Sequence, residues 1–124
     1  MDGKGYFVQP TIFGGVTSNM TIAREEIFGP VLAMMSFTGG IDGATVLANE
    51  TIYGLAAGIW TRDIGKALRT ARNVRAGTVW INTYNTYDAA SPFGGYKQSG
   101  FGRELGIHAI EGYTQVKSVW VDLT

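Results

Sequence analysis

The stretch from Asp63 to Ile81 constrains this chain more than any other. Ile64, Ala67, Leu68, Ala71 and Val74 recur at spacings of three and four, which places them on one stripe of a helix. Asp63 stands at the N-cap position, and Arg69, Arg72 and Arg75 come late, where cations meet the negative helix end. Gly77 closes the helix, and the apolar run 78–81 reads as a buried strand. A matching run precedes it: residues 55–60 are nearly all apolar after Gly54, which suits a strand buried on both faces. A strand, a short helix and a second strand confine the chain to the α/β class, with a right-handed crossover where consecutive strands are parallel.

The same alternation runs through the remainder. Residues 6–13 are apolar and β-rich but broken by Pro10, so they should form an extended edge segment. Residues 21–28 can form a short helix carrying Arg24, Glu25 and Glu26, stopped by Gly29-Pro30, and a strand should follow over 31–37. From Ile41, the residues Ala44, Leu47 and Ala48 make another helical stripe ending near Asn49, with Asp42 placed to cap it. Then comes NTYNTYDAASPFGGYKQSGFG, residues 82–102, aromatic- and glycine-rich and without a period. Loops of this length inside a compact domain are uncommon and usually functional. A last helix over 103–113 and a β-rich strand over 116–122 finish the chain, and nothing after that strand covers its edge. The expected architecture is a partial open sheet with alternating helices and no internal domain boundary.

Composition removes several classes of function. Lys and Arg total 10 against 10 for Asp and Glu, with no basic run, so there is no footprint for nucleic acid or an anionic membrane. The absence of cysteine removes disulfides, thiolate metal sites and a cysteine nucleophile, and with His108 as the single histidine no metal site is expected. The opening MDGKGYFVQP has no apolar signal core and no stretch reaches bilayer-spanning length, so a cytoplasmic location is expected. Gly100, Gly102 and Gly106 miss the dinucleotide-binding spacing by one residue, and Gly94-Gly95-Tyr96-Lys97 lacks the Ser or Thr of a phosphate loop. Both clusters read as turn chemistry. Glu25 and Glu26 are sequence neighbours, which on a helix point apart and cannot easily share a proton.

What stands out is an ordered series: GYFVQPTIF, EEIFGPV, YGLAAGIW, GTVWIN and SPFGGYKQSGFGRELG. Together these segments closely resemble the C-terminal part of the non-acylating NAD(P)-dependent aldehyde dehydrogenases, in the family's order, from Gly5 to Val121. The resemblance covers roughly the last quarter of such an enzyme. It implies the second half of that family's catalytic domain over residues 1–113, and over 114–124 the C-terminal strand of the subunit-bridging sheet.

The resemblance also implies roles. Glu26 would hydrogen-bond the ribose beside the nicotinamide, a task that suits a carboxylate acceptor, with Phe28 flanking the nicotinamide end and Leu55 beside it. Tyr84, Tyr87 and Phe93 would line the tunnel through which an aldehyde arrives, as a rigid apolar wall. Asn82 would tether the loop's backbone, and Tyr96 with the neighbouring glycines would set its shape. The implied cofactor is NAD or NADP, and the implied substrate an aldehyde, both only in the context of a full-length enzyme. The implied partners are further copies, as a homo-oligomer, or other aldehyde dehydrogenase chains.

The family's reaction needs a cysteine thiolate, an oxyanion site, hydride transfer to the nicotinamide and a glutamate base. None of these catalytic groups falls among the matched segments, so residues 1–124 alone are expected to be inactive. Two readings follow. The chain is a portion of an aldehyde dehydrogenase, or it is a stand-alone, non-catalytic interaction module that pairs through its terminal strand.

Overall fold

A computed structural model describes residues 3–124; Met1 and Asp2 of the opening segment lie outside them. The chain divides into two compact units, one ending at Ile52 and the other beginning at Tyr53. The sequence shows no composition shift there, because this boundary is set by which segments contact one another. Each unit holds one parallel strand pair, so two separate two-stranded sheets replace the expected single open sheet.

In the first unit, β1 (Thr11–Phe13) pairs with β2 (Val31–Ala33) in the register Thr11↔Val31 to Phe13↔Ala33. Both strands are shorter than the apolar runs that contain them. Pro10 offers no amide to a ladder, and past the strands only single backbone bonds continue it, from the Met34 amide to the Phe13 carbonyl and from the Val16 amide to the Met34 carbonyl. Helix α1 (Thr21–Arg24) is a single turn, and Glu25 is already extended at φ −104° and ψ 137°. Glu25 and Glu26 therefore stand outside a helix, contrary to the expectation of helix through residue 28. Helix α2 (Gly40–Asn49) starts from Gly39 at φ 78°, with no side-chain cap. Asp42 sits inside the first turn, where it complements the helix dipole without capping it.

The second unit contains the βαβ element that the sequence marks. Strand β3 (Ala56–Ile59) pairs in parallel with β4 (Thr78–Ile81), from Ala56↔Thr78 to Ile59↔Ile81, and α3 (Ile64–Asn73) connects them. Asp63 caps α3 by accepting from the Lys66 amide at 3.0 Å, and that bond holds its carboxyl below the usual carboxylate range. Helix α3 packs on β3 with Ala67 at 1% exposure, yet Ile64 on the same stripe is 65% exposed. Nor is either strand buried on both faces: β3 is half-buried at best, and in β4 only Trp80 is buried, at 7% exposure. One short helix covers too little of a two-stranded sheet for more.

Beyond β4 lie a 3₁₀ turn (Lys97–Ser99) and α4 (Ala109–Tyr113). The helix expected over 103–113 forms only its last turn. An antiparallel bridge between Phe93 and Glu104 pulls the chain straight, and Leu105 and Gly106 at φ 61° and 59° break the helical path. Residues 114–124 form no strand, contrary to the pattern over 116–122, and Trp120 is 93% exposed. A strand is completed by a neighbour's hydrogen bonds, and no segment among the described residues supplies them. The buried apolar residues described are Val16, Ala67 and Trp80, so most large apolar side chains face outward.

Candidate functional site

The turn after α1 carries Glu26 and Phe28. Two tight three-residue turns follow one another there: the Gly29 amide donates to the Ile27 carbonyl at 2.7 Å and the Val31 amide to the Gly29 carbonyl at 2.8 Å. The Thr11 amide donates to the Pro30 carbonyl at 2.9 Å, which ties the turn to β1. Phe28, at the centre of the first turn, is 98% exposed, and Glu26 is exposed as well. The first unit thus presents a carboxylate and an aromatic ring outward from an anchored turn.

Leu55, Tyr84, Tyr87 and Phe93 all belong to the second unit. Leu55 precedes β3, and its carbonyl accepts from the Thr78 amide at 3.2 Å. Leu55 and Phe93 line one cavity of about 710 Å³, together with Ser99, Arg103 and Glu104 among others. Phe93 also borders a second depression of about 380 Å³, shared with Trp80 and Tyr87. It is fixed by reciprocal 2.7 Å backbone bonds with Glu104.

The loop's aromatic rings form one continuous series. Tyr84 meets Trp80 at 4.9 Å between centroids, Trp80 meets Tyr87 at 5.5 Å, and Tyr87 meets Phe93 at 5.2 Å, all edge to face. That arrangement places the positive ring edge on the negative ring face and adds about 0.5–1.5 kcal/mol per pair beyond burial. Trp60 extends the series to Tyr84 at 6.1 Å. The sequence directs attention to the tyrosines and Phe93 but misses the two tryptophans, which read there as strand residues. The available signal was chemical: a buried indole needs an acceptor for its N–H, and the adjacent loop is where one lies.

Asn82 is a tether, as expected. Its Oδ1 accepts from the Thr61 amide and its Nδ2 donates to the Thr61 carbonyl, both at 2.9 Å, while its own backbone turns left-handed at φ 55°. The loop's far end is held through Gly54, whose carbonyl accepts from the Tyr96 and Gly77 amides at 2.8 and 3.0 Å and whose amide donates to Ser99 Oγ at 2.9 Å. Arg103 lies over the Tyr96 ring at 5.1 Å and donates to the Gly95 carbonyl at 3.1 Å. Gly77 is a position of close approach: a Cβ there would stand 1.6 Å from the Gly94 carbonyl oxygen. The glycine clusters therefore shape the loop. Among the described residues, no cluster of three or more potential metal ligands occurs.

Comparison with known proteins fits this geometry. Residues 1–119 match the aldehyde dehydrogenase family model. A putative aldehyde dehydrogenase of Bacillus subtilis, DhaS, is 57% identical over 119 residues, 96% of this chain and 24% of its own length. A betaine aldehyde dehydrogenase of Brucella anthropi is 53% identical over 120 residues, 97% of this chain and 24% of its own. Among solved structures, an aldehyde dehydrogenase from Bacillus cereus in complex with NAD+ superposes with a TM-score of 0.89 at 55% identity, covering 98% of this chain and 24% of that one. This chain spans about a quarter of the length of the curated relatives it matches. With the match running almost from end to end, the chain belongs to the aldehyde dehydrogenase family.

Proposed function

We propose that this chain serves as the C-terminal portion of an NAD(P)-dependent aldehyde dehydrogenase, which oxidises an aldehyde to a carboxylic acid. The observation that carries the reading is the family match over residues 1–119 at more than half identity to dehydrogenases four times as long. In this reading residues 1–113 complete the catalytic domain and residues 114–124 provide a strand to a sheet shared between subunits. When bound, the nicotinamide supplies the hydride acceptor. Glu26 would accept hydrogen bonds from the ribose hydroxyls, Phe28 would flank the nicotinamide end and Leu55 would pack beside it. The residues suit such a group: an ionised carboxylate offers only acceptors, and Phe28 exposes a flat apolar face.

Tyr84, Tyr87 and Phe93 would form the tunnel wall that guides the aldehyde and excludes water. With zero cysteines, residues 1–124 carry no thiol to attack an aldehyde, so they would turn over no substrate by themselves. The wide apolar exposure, from Phe28 to Trp120, supports the need for further protein around them.

The exposed, unpaired tail also favours a second reading, in which the chain acts alone as a non-catalytic module that pairs through residues 114–124 with a dehydrogenase or with itself. One experiment separates the two. Join this chain to the upstream three quarters of the Bacillus cereus enzyme and measure aldehyde-dependent reduction of NAD+. Turnover supports the first reading, and Glu26→Gln should then lower kcat about tenfold. A folded chimera without turnover overturns it; turnover that Glu26→Gln leaves unchanged removes the ribose assignment.

A further inference from the structure

We propose that Trp80 is the positioning residue for the aldehyde-facing wall, acting through its indole N–H on the loop that carries Tyr84 and Tyr87. The inference rests on the reading of Tyr84, Tyr87 and Phe93 as that wall. Trp80 sits in β4 opposite Gly58 of β3 and is nearly buried, so its ring is held by a ladder and by packing. Its Nε1 donates to the Thr86 carbonyl at 2.8 Å. Both tyrosines, by contrast, are more than half exposed and lie on a loop with few fixed points.

Those fixed points form a closed device. Asn82 binds the start of the loop to Thr61 by two bonds, and the Thr83 and Thr86 hydroxyls meet at 3.2 Å. Asn85 turns left-handed at φ 58°, which brings the chain back toward β4. Trp80 then seizes the returning end at Thr86, and its ring meets both Tyr84 and Tyr87 edge to face. Phe93 is secured separately, by its bridge to Glu104.

An indole nitrogen can only donate, so this hold vanishes in any variant that lacks the N–H. Thr86 would then be free to shift and Tyr87, the next residue, would shift with it. The consequence is selective. A ring-bearing aldehyde packs against both tyrosines, whereas acetaldehyde is too small to depend on them.

The test uses the chimera described above, with phenylacetaldehyde and acetaldehyde as substrates. Trp80→Phe should raise KM for phenylacetaldehyde about tenfold and leave kcat, KM for NAD+ and both acetaldehyde constants within about twofold. Tyr84→Ala and Tyr87→Ala, measured beside it, should shift KM in the same direction, and the double variant Trp80→Phe/Tyr87→Ala should show less than the sum of the single effects. If the tyrosine variants raise KM and Trp80→Phe does not, this inference falls and the wall reading stands. If none of the three raises KM, both fall. A fall in kcat for both aldehydes alike would mark a merely structural tryptophan and overturn the proposal. Should Trp80→Phe fail to fold, 3-benzothienylalanine at position 80 keeps the fused rings with sulfur in place of N–H, and the same outcomes decide.

Discussion

Strands β3 and β4 with helix α3 close on one another, whereas residues 114–124, also rich in β-branched and aromatic residues, form no strand with any segment among the described residues. Val116, Val119 and Trp120 are as suited to a strand as Val79 and Trp80 are. The difference lies in where hydrogen bonds come from. A helix satisfies its own backbone, and α3 in doing so delivers β4 alongside β3, so each strand finds its partner within reach. The tail follows a one-turn helix and meets no strand edge among the described residues. Its β character has no ladder to join there.

Gly77→Ala should produce the largest break in this contrast. The added methyl would collide with the backbone at Gly94, so neither partner can yield by rotating a side chain. Destabilisation of about 3 kcal/mol is expected, read as a lower unfolding midpoint of the chimera. A neutral result would mean that the seam between β4 and the loop is not rigid.

Asn82→Ala comes next, because it removes both bonds to Thr61 and leaves alanine in a left-handed backbone, at a cost of about 2 kcal/mol. Asn82→Asp sharpens the point: it keeps the Oδ1 acceptor and loses the Nδ2 donor, so about half of that loss should remain. Equal losses in the two variants would show that the acceptor contributes nothing.

Val119→Pro addresses the tail. It deletes one backbone donor in a segment that forms no strand among the described residues, so unfolding of the isolated subunit should be unaffected. Subunit dissociation should become about tenfold easier if residues 114–124 join a shared sheet, as sedimentation at graded concentrations would reveal. Unchanged association would remove that role.

Acidification gives the smallest effect. The Lys66 amide lowers the Asp63 pKa beneath its ordinary value of 3.8, so the cap stabilises α3 fully above that value and loses its contribution as pH falls through the lower folded value. Asp63→Ala should therefore destabilise the protein slightly at neutral pH, and the gap to the parent should close in strong acid. A gap that persisted in strong acid would show that the carboxylate charge is not what holds the cap.

Legibility varied along the chain for physical reasons. The start of α3, its Asp63 cap and the strands around it were readable, since each rests on neighbours a few residues away. The helix, however, ends at Asn73, short of Gly77, and the Asn82 tether, which the family resemblance implied, reaches back 21 residues to Thr61. The extent of helix before Glu25 and after Arg103 was not. In the first case the chain leaves the helix to enter the turns at Ile27–Gly29, and in the second the bond from Phe93 to Glu104 straightens residues whose own pattern favours helix. Trp80 was visible as a strand residue, but its hold on Thr86 depends on where the loop returns.

The sequence by itself determined the α/β class, the family and the residue types at the candidate site, because periodicity, caps and ordered motifs are local properties. Only the tertiary structure decided that the strands form two separate pairs, that Leu55 and Phe93 share a cavity, and that Trp80 joins Tyr84, Tyr87 and Phe93 in one series of rings. Pairings of that kind join residues far apart along the chain, and their geometry is set by the packing of the elements between them.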